Sequence, residues 1–142
     1  MWVVLDTNIV VSALIWGGTP CKLLQLATDG DIELYTSPAL LTELREVLAR
    51  EHLASRLVRQ RSTVEQATSI YGELAISVSP LSTARVVPGD ADDDHVIAAA
   101  CAAKADLVVS GDRHLLSMGS YQGIDIVSAA AAIETIGATG KA

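Results

Sequence analysis

Trp2-Val3-Val4-Leu5-Asp6-Thr7-Asn8-Ile9 opens the chain, and the reading of this stretch decides the fold. Four apolar residues without polar alternation are the pattern of a short strand buried on both faces, as in a parallel sheet covered by helices. Asp6-Thr7-Asn8 ends the run and offers side chains able to cap a helix over residues 9–15. A carboxylate directly after the first strand stands at the edge where open α/β sheets bind their ligands.

The same alternation continues outward from this stretch. Gly17-Gly18 breaks the first helix, and Thr19-Pro20 starts a second with proline at its first position, ending at Gly30. Residues 32–35 are expected to form a second strand, and Ser37-Pro38 opens a helix carrying Leu40, Leu41, Leu44, Val47 and Leu48. Between residues 51 and 72 polarity rises, but Leu53, Leu57, Val58, Val64, Ala67 and Ile70 keep the spacing of one or two amphipathic helices. Residues 75–78 are a candidate third strand, and 79–89, with Pro80 and Pro88, a loop. An alanine-rich helix follows over 92–103, with acids in its first turn where the helix dipole favours them. Leu107-Val108-Val109 is the fourth strand and Ile124-Asp125-Ile126-Val127 the fifth; Ser128 caps a last helix through Ile136, and 137–142 are expected to fray. Strands alternating with helices predict an α/β fold with a mainly parallel sheet of about five strands, in one domain over residues 1–142.

Composition narrows the classes further. Half of the 142 residues are apolar and 19% are charged, which excludes a disordered or fibrous chain; with no Phe, the core must be built of Val, Ile, Leu and Ala. The net charge of −7 gives no general attraction to nucleic acid, so such a partner would need a local basic surface or cations bridging to carboxylates. Cys21 and Cys101 are the two cysteines, expected to be buried thiols in a reducing compartment. No apolar run reaches the roughly 20 residues of a membrane span, so the expectation is a soluble, cytoplasmic protein without a membrane partner.

Sorting the acids by the strand-edge rule gives the candidate site. Asp6 follows strand one, Asp112 follows strand four after a glycine, and Asp92-Asp93-Asp94 open the helix leading into strand four. Glu43 lies between Leu40 and Val47 on a largely apolar helical face. Each has a plain structural explanation: Asp6 and Asp112 as helix caps, the Asp run as a solvated helix start, Glu43 as a surface residue. Those explanations weaken together, because carboxylates converging on one cleft repel unless a cation compensates. All-oxygen ligands select Mg²⁺ or Mn²⁺ over Zn²⁺, and the chemistry best matched is phosphodiester hydrolysis.

Four stretches resemble the PIN-domain family of ribonucleases, which includes the VapC-type toxins of toxin–antitoxin pairs. They are Val4-Leu5-Asp6-Thr7-Asn8-Ile9, then Pro38 with Glu43-Leu44, then Asp90-Ala91-Asp92-Asp93-Asp94-His95, and finally Leu107-Val108-Val109-Ser110-Gly111-Asp112. The resemblance covers nearly the whole chain. It implies a three-layer α/β/α sandwich and an RNA-cleaving enzyme whose metal ligands are Asp6, Glu43, one acid of the triple and Asp112. Family members usually carry a small residue, often glycine, eleven positions after the key aspartate. Lys104 stands there, pointing to Asp93, with Asp94 next. Asn8 and Ser110 resemble groups that orient the carboxylates or touch phosphate. Mg²⁺ or Mn²⁺, a homodimer and a cognate antitoxin are implied as well.

Arg45, Arg50, Arg56, Arg59 and Arg61 make up half of the ten cations and could grip phosphates, or form an ordinary solvated face. His52, His95 and His114 lack metal-ligand spacing. Two other classes compete. A haloacid-dehalogenase-type hydrolase needs a second acid two residues after the first, where Asn8 stands. A phospho-accepting receiver domain needs an acidic pair after strand one and a lysine after strand five, where Ser128-Ala129 stands. A catalytically dead PIN-like binding module is disfavoured by the intact set of acids.

Overall fold

In the computed structural model the described residues are 1–80 and 91–140, with the side chains of 91, 92, 139 and 140 excluded. Strand β1 (Trp2–Leu5) leads into helices α1 (Thr7–Ile15) and α2 (Gly18–Thr28), then β2 (Glu33–Thr36) and α3 (Pro38–Leu48). Helices α4 (Glu51–Arg59) and α5 (Val64–Leu74) precede the two-residue β3 (Ile76–Ser77). After α6 (Ala91–Ala103) come β4 (Leu107–Val109), α7 (Arg113–Met118), β5 (Ser120–Tyr121), β6 (Ile124–Val127) and α8 (Ala129–Gly140).

The strands form one sheet in the order β3-β2-β1-β4-β6-β5, with β1 and β4 at its centre. Every pairing is parallel except β5 with β6. Side chains alternate across it as a strand requires. Val3, Leu5, Leu107 and Val109 enter one buried cluster with residues of α1, α3, α4, α5 and α8. Val4, Val108 and Ile126 enter a second, against Val96, Ile97, Ala99 and Ala100 of α6 and Leu115 of α7. Two apolar clusters on opposite faces of one sheet are the three-layer α/β/α arrangement, and they explain why β1 and β4 are unbroken apolar runs.

Local chemistry sets the helix boundaries. Ser37 accepts from the Leu40 N–H, Thr63 from Gln66 and Ser128 from Ala131, each satisfying a donor that the first turn leaves without a helical partner. The axes of α1 and α2 meet at 94°, and the corner is made by Gly17 and Gly18, both at positive φ. Among the described residues no single helix is long and apolar enough to cross a membrane.

Several boundaries and placements differ from expectation. The second strand runs Glu33–Thr36, one residue later than 32–35, because its register is set by Trp2 pairing with Glu33. The sheet has six strands rather than about five; β5 is joined to β6 through Gln122 and Gly123, both at positive φ, as a two-residue hairpin turn requires. Residues through Gly140 are helical, past the Ile136 end expected for the last helix. Cys21 is exposed and Cys101 half-buried, not two buried thiols, because the buried face of α2 centres on Leu23 and leaves Cys21 outside. Of the expected loop over 79–89, residues 81–89 lie outside the described residues.

Two local details bear on stability. Lys104 ends α6 with φ of +53°, a left-handed conformation that suits glycine and strains other residues. The Tyr71 hydroxyl is buried with no hydrogen-bond partner, and burial pushes its pKa well above the ordinary tyrosine value. Lys104→Gly is therefore expected to raise the unfolding free energy by about 0.5–1 kcal/mol, and denaturant titration checks this; an unchanged or lower value contradicts the strain argument. Tyr71→Phe should also stabilise, by about 1 kcal/mol, through removal of a buried unsatisfied group. With its native pKa raised, Tyr71 stays protonated when the unfolded chain ionises near its ordinary value of 10.0, so stability should fall above that pH in the parent and fall less in Tyr71→Phe.

Candidate active site

Asp6 is the first residue past β1, and Ser110 the first past β4. Leu5 and Val109 are register partners, so the two residues emerge side by side at the carboxyl edge of the central strands. The Asp6 N–H donates to the Val109 carbonyl at 2.9 Å. The Ser110 hydroxyl donates to Asp6 Oδ2 at 2.7 Å and accepts the Asp112 N–H at 2.9 Å. Ser110 is 0% exposed and Asp6 5%. A short, charge-assisted bond of this kind fixes the orientation of the carboxylate.

Helix capping does not explain the Asp6 side chain. Asp6 occupies the position before α1, yet its carboxylate makes no capping bond; the Ile9 and Val10 N–H groups donate to its backbone carbonyl instead. Asp112 is different. Its Oδ1 accepts from His114 N–H at 2.7 Å and Leu115 N–H at 3.3 Å, so it caps α7. Both bonds end on one oxygen, so the cap fixes the side chain and leaves Oδ2 for a second role.

Helix α6 precedes β4 and packs against β1, β2, β4 and α3. A helix leading into a parallel strand returns from the carboxyl edge of the sheet to its amino edge, so its first turn lies on the side of Asp6 and Ser110. In that turn Asp93 is 4% and Asp94 1% exposed. Glu43, half-buried on α3, and these two aspartates each bury a carboxylate oxygen: Glu43 Oε2, Asp93 Oδ2 and Asp94 Oδ2. Asp90 and the side chain of Asp92 lie outside the described residues. The left-handed Lys104, eleven positions after Asp93, closes α6 in the conformation a glycine would adopt.

Asp and Glu are almost never fully buried unless paired or bound to metal. The donor set is oxygen throughout, which suits a hard cation such as Mg²⁺ or Mn²⁺. Among the described residues no three His, Cys, Asp or Glu side chains are grouped closely enough to hold a metal ion. Direct hydrogen bonds link Asp6 to Ser110 and Ser110 to Asp112, while Asp93 and Asp94 are buried on α6 and Glu43 is half-buried on α3. Asn8 is exposed on α1, and His52 and His114 are exposed on their helices.

The arginines do not form one face. Arg45 lines a cleft of about 310 Å³ with Leu41, Thr42, Thr68 and Ser69, on the side of α3 turned toward α5. At 100° per residue, Arg45 lies about 160° around the helix from Glu43, facing away from it. Two residues escaped the sequence reading. Thr7 is buried beside Asp6, and its hydroxyl has no hydrogen-bond partner; nothing separates it in the sequence from the run it belongs to. Trp16 gave no periodic signal, and its contact with Arg56 joins residues forty positions apart.

A mainly parallel α/β sheet with buried carboxylates at the carboxyl edge of its central strands is an architecture that hosts many chemistries. Within it, the chain belongs to the PIN-domain family: the family model described as PIN domain matches residues 2–114, and members of that family are generally nucleases. The chain is also 32% identical over 117 residues to an uncharacterized protein of Methanocaldococcus jannaschii, covering 82% of this chain and 74% of that one.

Removing the Ser110 hydroxyl leaves Asp6 buried with one donor fewer. Ser110→Ala should cost about 1–3 kcal/mol, whereas Asn8→Ala, at an exposed position, should stay within about 0.5 kcal/mol of the parent. Urea unfolding of the two variants decides the point; equal stabilities would mean that the bond does not hold Asp6.

Proposed function

We propose that this protein is a metal-dependent endoribonuclease, with Asp6, Glu43, Asp93 and Asp112 as its working carboxylates and Mg²⁺ or Mn²⁺ as cofactor. The observation that carries the proposal is the Asp6 carboxylate, buried at a strand end and held by Ser110 rather than by the helix it precedes. Family membership supports nuclease chemistry. The order of the four motifs along the chain supports the family resemblance, and the choice of RNA and a role as the toxin of a toxin–antitoxin pair extend the proposal from it. On this reading the protein is a single cytoplasmic domain that works as a homodimer and is silenced by an antitoxin covering the cleft.

Asp6, Asp93 and Asp112 would hold the cation, with Glu43 and Asp94 completing its surroundings. When bound, the ion stabilises negative charge on a phosphoryl oxygen and acidifies water. The chain's own groups do the rest. Ser110 holds Asp6 in one orientation, and the cap on α7 fixes Asp112, so neither carboxylate must reorganise during the reaction. Glu43 lies in partly apolar surroundings on α3, suited to accept a proton from the attacking water. Asn8, exposed in the first turn of α1, offers its amide to a phosphate oxygen.

Purified protein should cleave RNA in Mn²⁺ or Mg²⁺ and lose the activity in excess EDTA. Asp6→Asn should lower the rate by at least about 100-fold while retaining the parent circular dichroism spectrum. Full cleavage by the Asp6→Asn protein, or by the parent in EDTA, would overturn the proposal.

A further inference from the structure

Trp16, at the corner between α1 and α2, is 57% exposed, unusual for the largest apolar side chain in a protein with only two tryptophans. The guanidinium carbon of Arg56 lies 3.9 Å from the centre of its ring, a stacked cation–π contact. The Gln60 side-chain amide donates to the Ile15 carbonyl at 2.9 Å, tying the end of α4 to the end of α1. Arg59 follows Arg56 by three positions, about one turn, at the end of α4, whereas Arg61 lines a cleft with Glu65 and Glu73 of α5. Among the described residues neither Arg56 nor Arg59 is in an ion pair with Asp or Glu, and the Nε of Arg56 is buried without a hydrogen-bond partner. In a chain of net charge −7, Arg56, with Arg59 one turn away, puts positive charge beside an open aromatic ring.

From these features we infer that Trp16 is a stacking platform for a base of single-stranded nucleic acid. Arg56 backs the ring, and Arg59, one turn further along α4, meets an adjoining phosphate. The inference rests on the nuclease reading and deepens it by naming a substrate contact. Every base offers a π-face, so the platform tolerates sequence, while phosphates supply the charge these arginines lack. Trp16 lies ten residues beyond Asp6 along α1, about 15 Å at helical rise, so one strand could reach both. The arginine in contact with the ring also makes an apolar protein partner a poorer fit.

Binding separates this inference from the catalytic proposal. With the Asp6→Asn protein in EDTA, a fluorescein-labelled single-stranded oligoribonucleotide is titrated against Trp16→Ala, Trp16→Phe and unsubstituted Trp16. The alanine variant should bind about 5- to 150-fold more weakly, while phenylalanine, which keeps a π-face, should recover most of the loss. In a Trp2→Phe background Trp16 is the sole tryptophan, and the oligonucleotide should quench its fluorescence, a readout that needs no truncation at Trp16. Equal binding by Trp16→Ala, with no quenching, would overturn the platform even if the parent cleaves RNA. Absence of RNA binding by the Asp6→Asn protein in EDTA would overturn the platform, whereas the nuclease reading is decided by the cleavage assay. If Trp16→Ala turns a dimer into a monomer in sedimentation while RNA affinity is unchanged, the ring is a contact between copies of this chain and the inference is wrong.

Discussion

The parallel pairing of β1 with β4, with Leu5 opposite Val109, is the constraint on which the rest of the molecule depends. Because side chains alternate along a strand, this register sends Val3 and Leu5 to one core and Val4 to the other. It also brings Asp6 and Ser110 out at the same level, where the 2.7 Å hydrogen bond forms. A one-residue slip would turn every side chain of β1 to the opposite face and separate the two. Since β4 is reached only after α6, the connection that allows the pairing also carries Asp93 and Asp94 to the same edge.

The charge distribution follows a related logic. The chain is poor in charged residues, yet it buries Asp6, Asp93 and Asp94 and a carboxylate oxygen of Glu43. Desolvating several carboxylates together is unfavourable, so the fold must offset it with donors and cations. Ser110 is one such donor, and a hard divalent ion is the counter-charge that the oxygen-only set would accept. A cation stands at the opposite end of α1, where Arg56 lies over Trp16. One helix therefore joins an anionic edge to a cationic corner.

Much of this was legible in the sequence, for physical reasons that differ from residue to residue. The β1 and β4 segments are apolar on both faces, so their burial could be read without knowing their partners. The starts of α3 and α8 were legible because Ser37 and Ser128 precede helical patterns and bond to the first turn. β5 was not, since a two-residue strand has no periodicity and its turn carries Gln122 where asparagine is the usual signal. Cys21 was misplaced because a small apolar residue gives little information about which side of α2 it takes. In the site, capping and ligation look alike in sequence; only the geometry shows that Asp112 caps with one oxygen and Asp6 does not cap with its side chain. The Trp16–Arg56 contact depends on how α4 returns to α1, which no local pattern encodes.

On the proposed reading, the chemistry lies at the end of two central strands and a substrate contact at the far end of the helix that leaves β1. What remains decisive is whether the buried carboxylates share a cation. A crystal soaked in Mn²⁺ and measured at the manganese absorption edge gives the most direct answer. The account requires an anomalous peak within ligand distance, about 2.0–2.4 Å, of a carboxylate oxygen of Asp6, with Asp112 or Asp93 in the same coordination shell. Manganese bound only elsewhere, with Asp6 and Ser110 still hydrogen-bonded and no peak beside them, would contradict it.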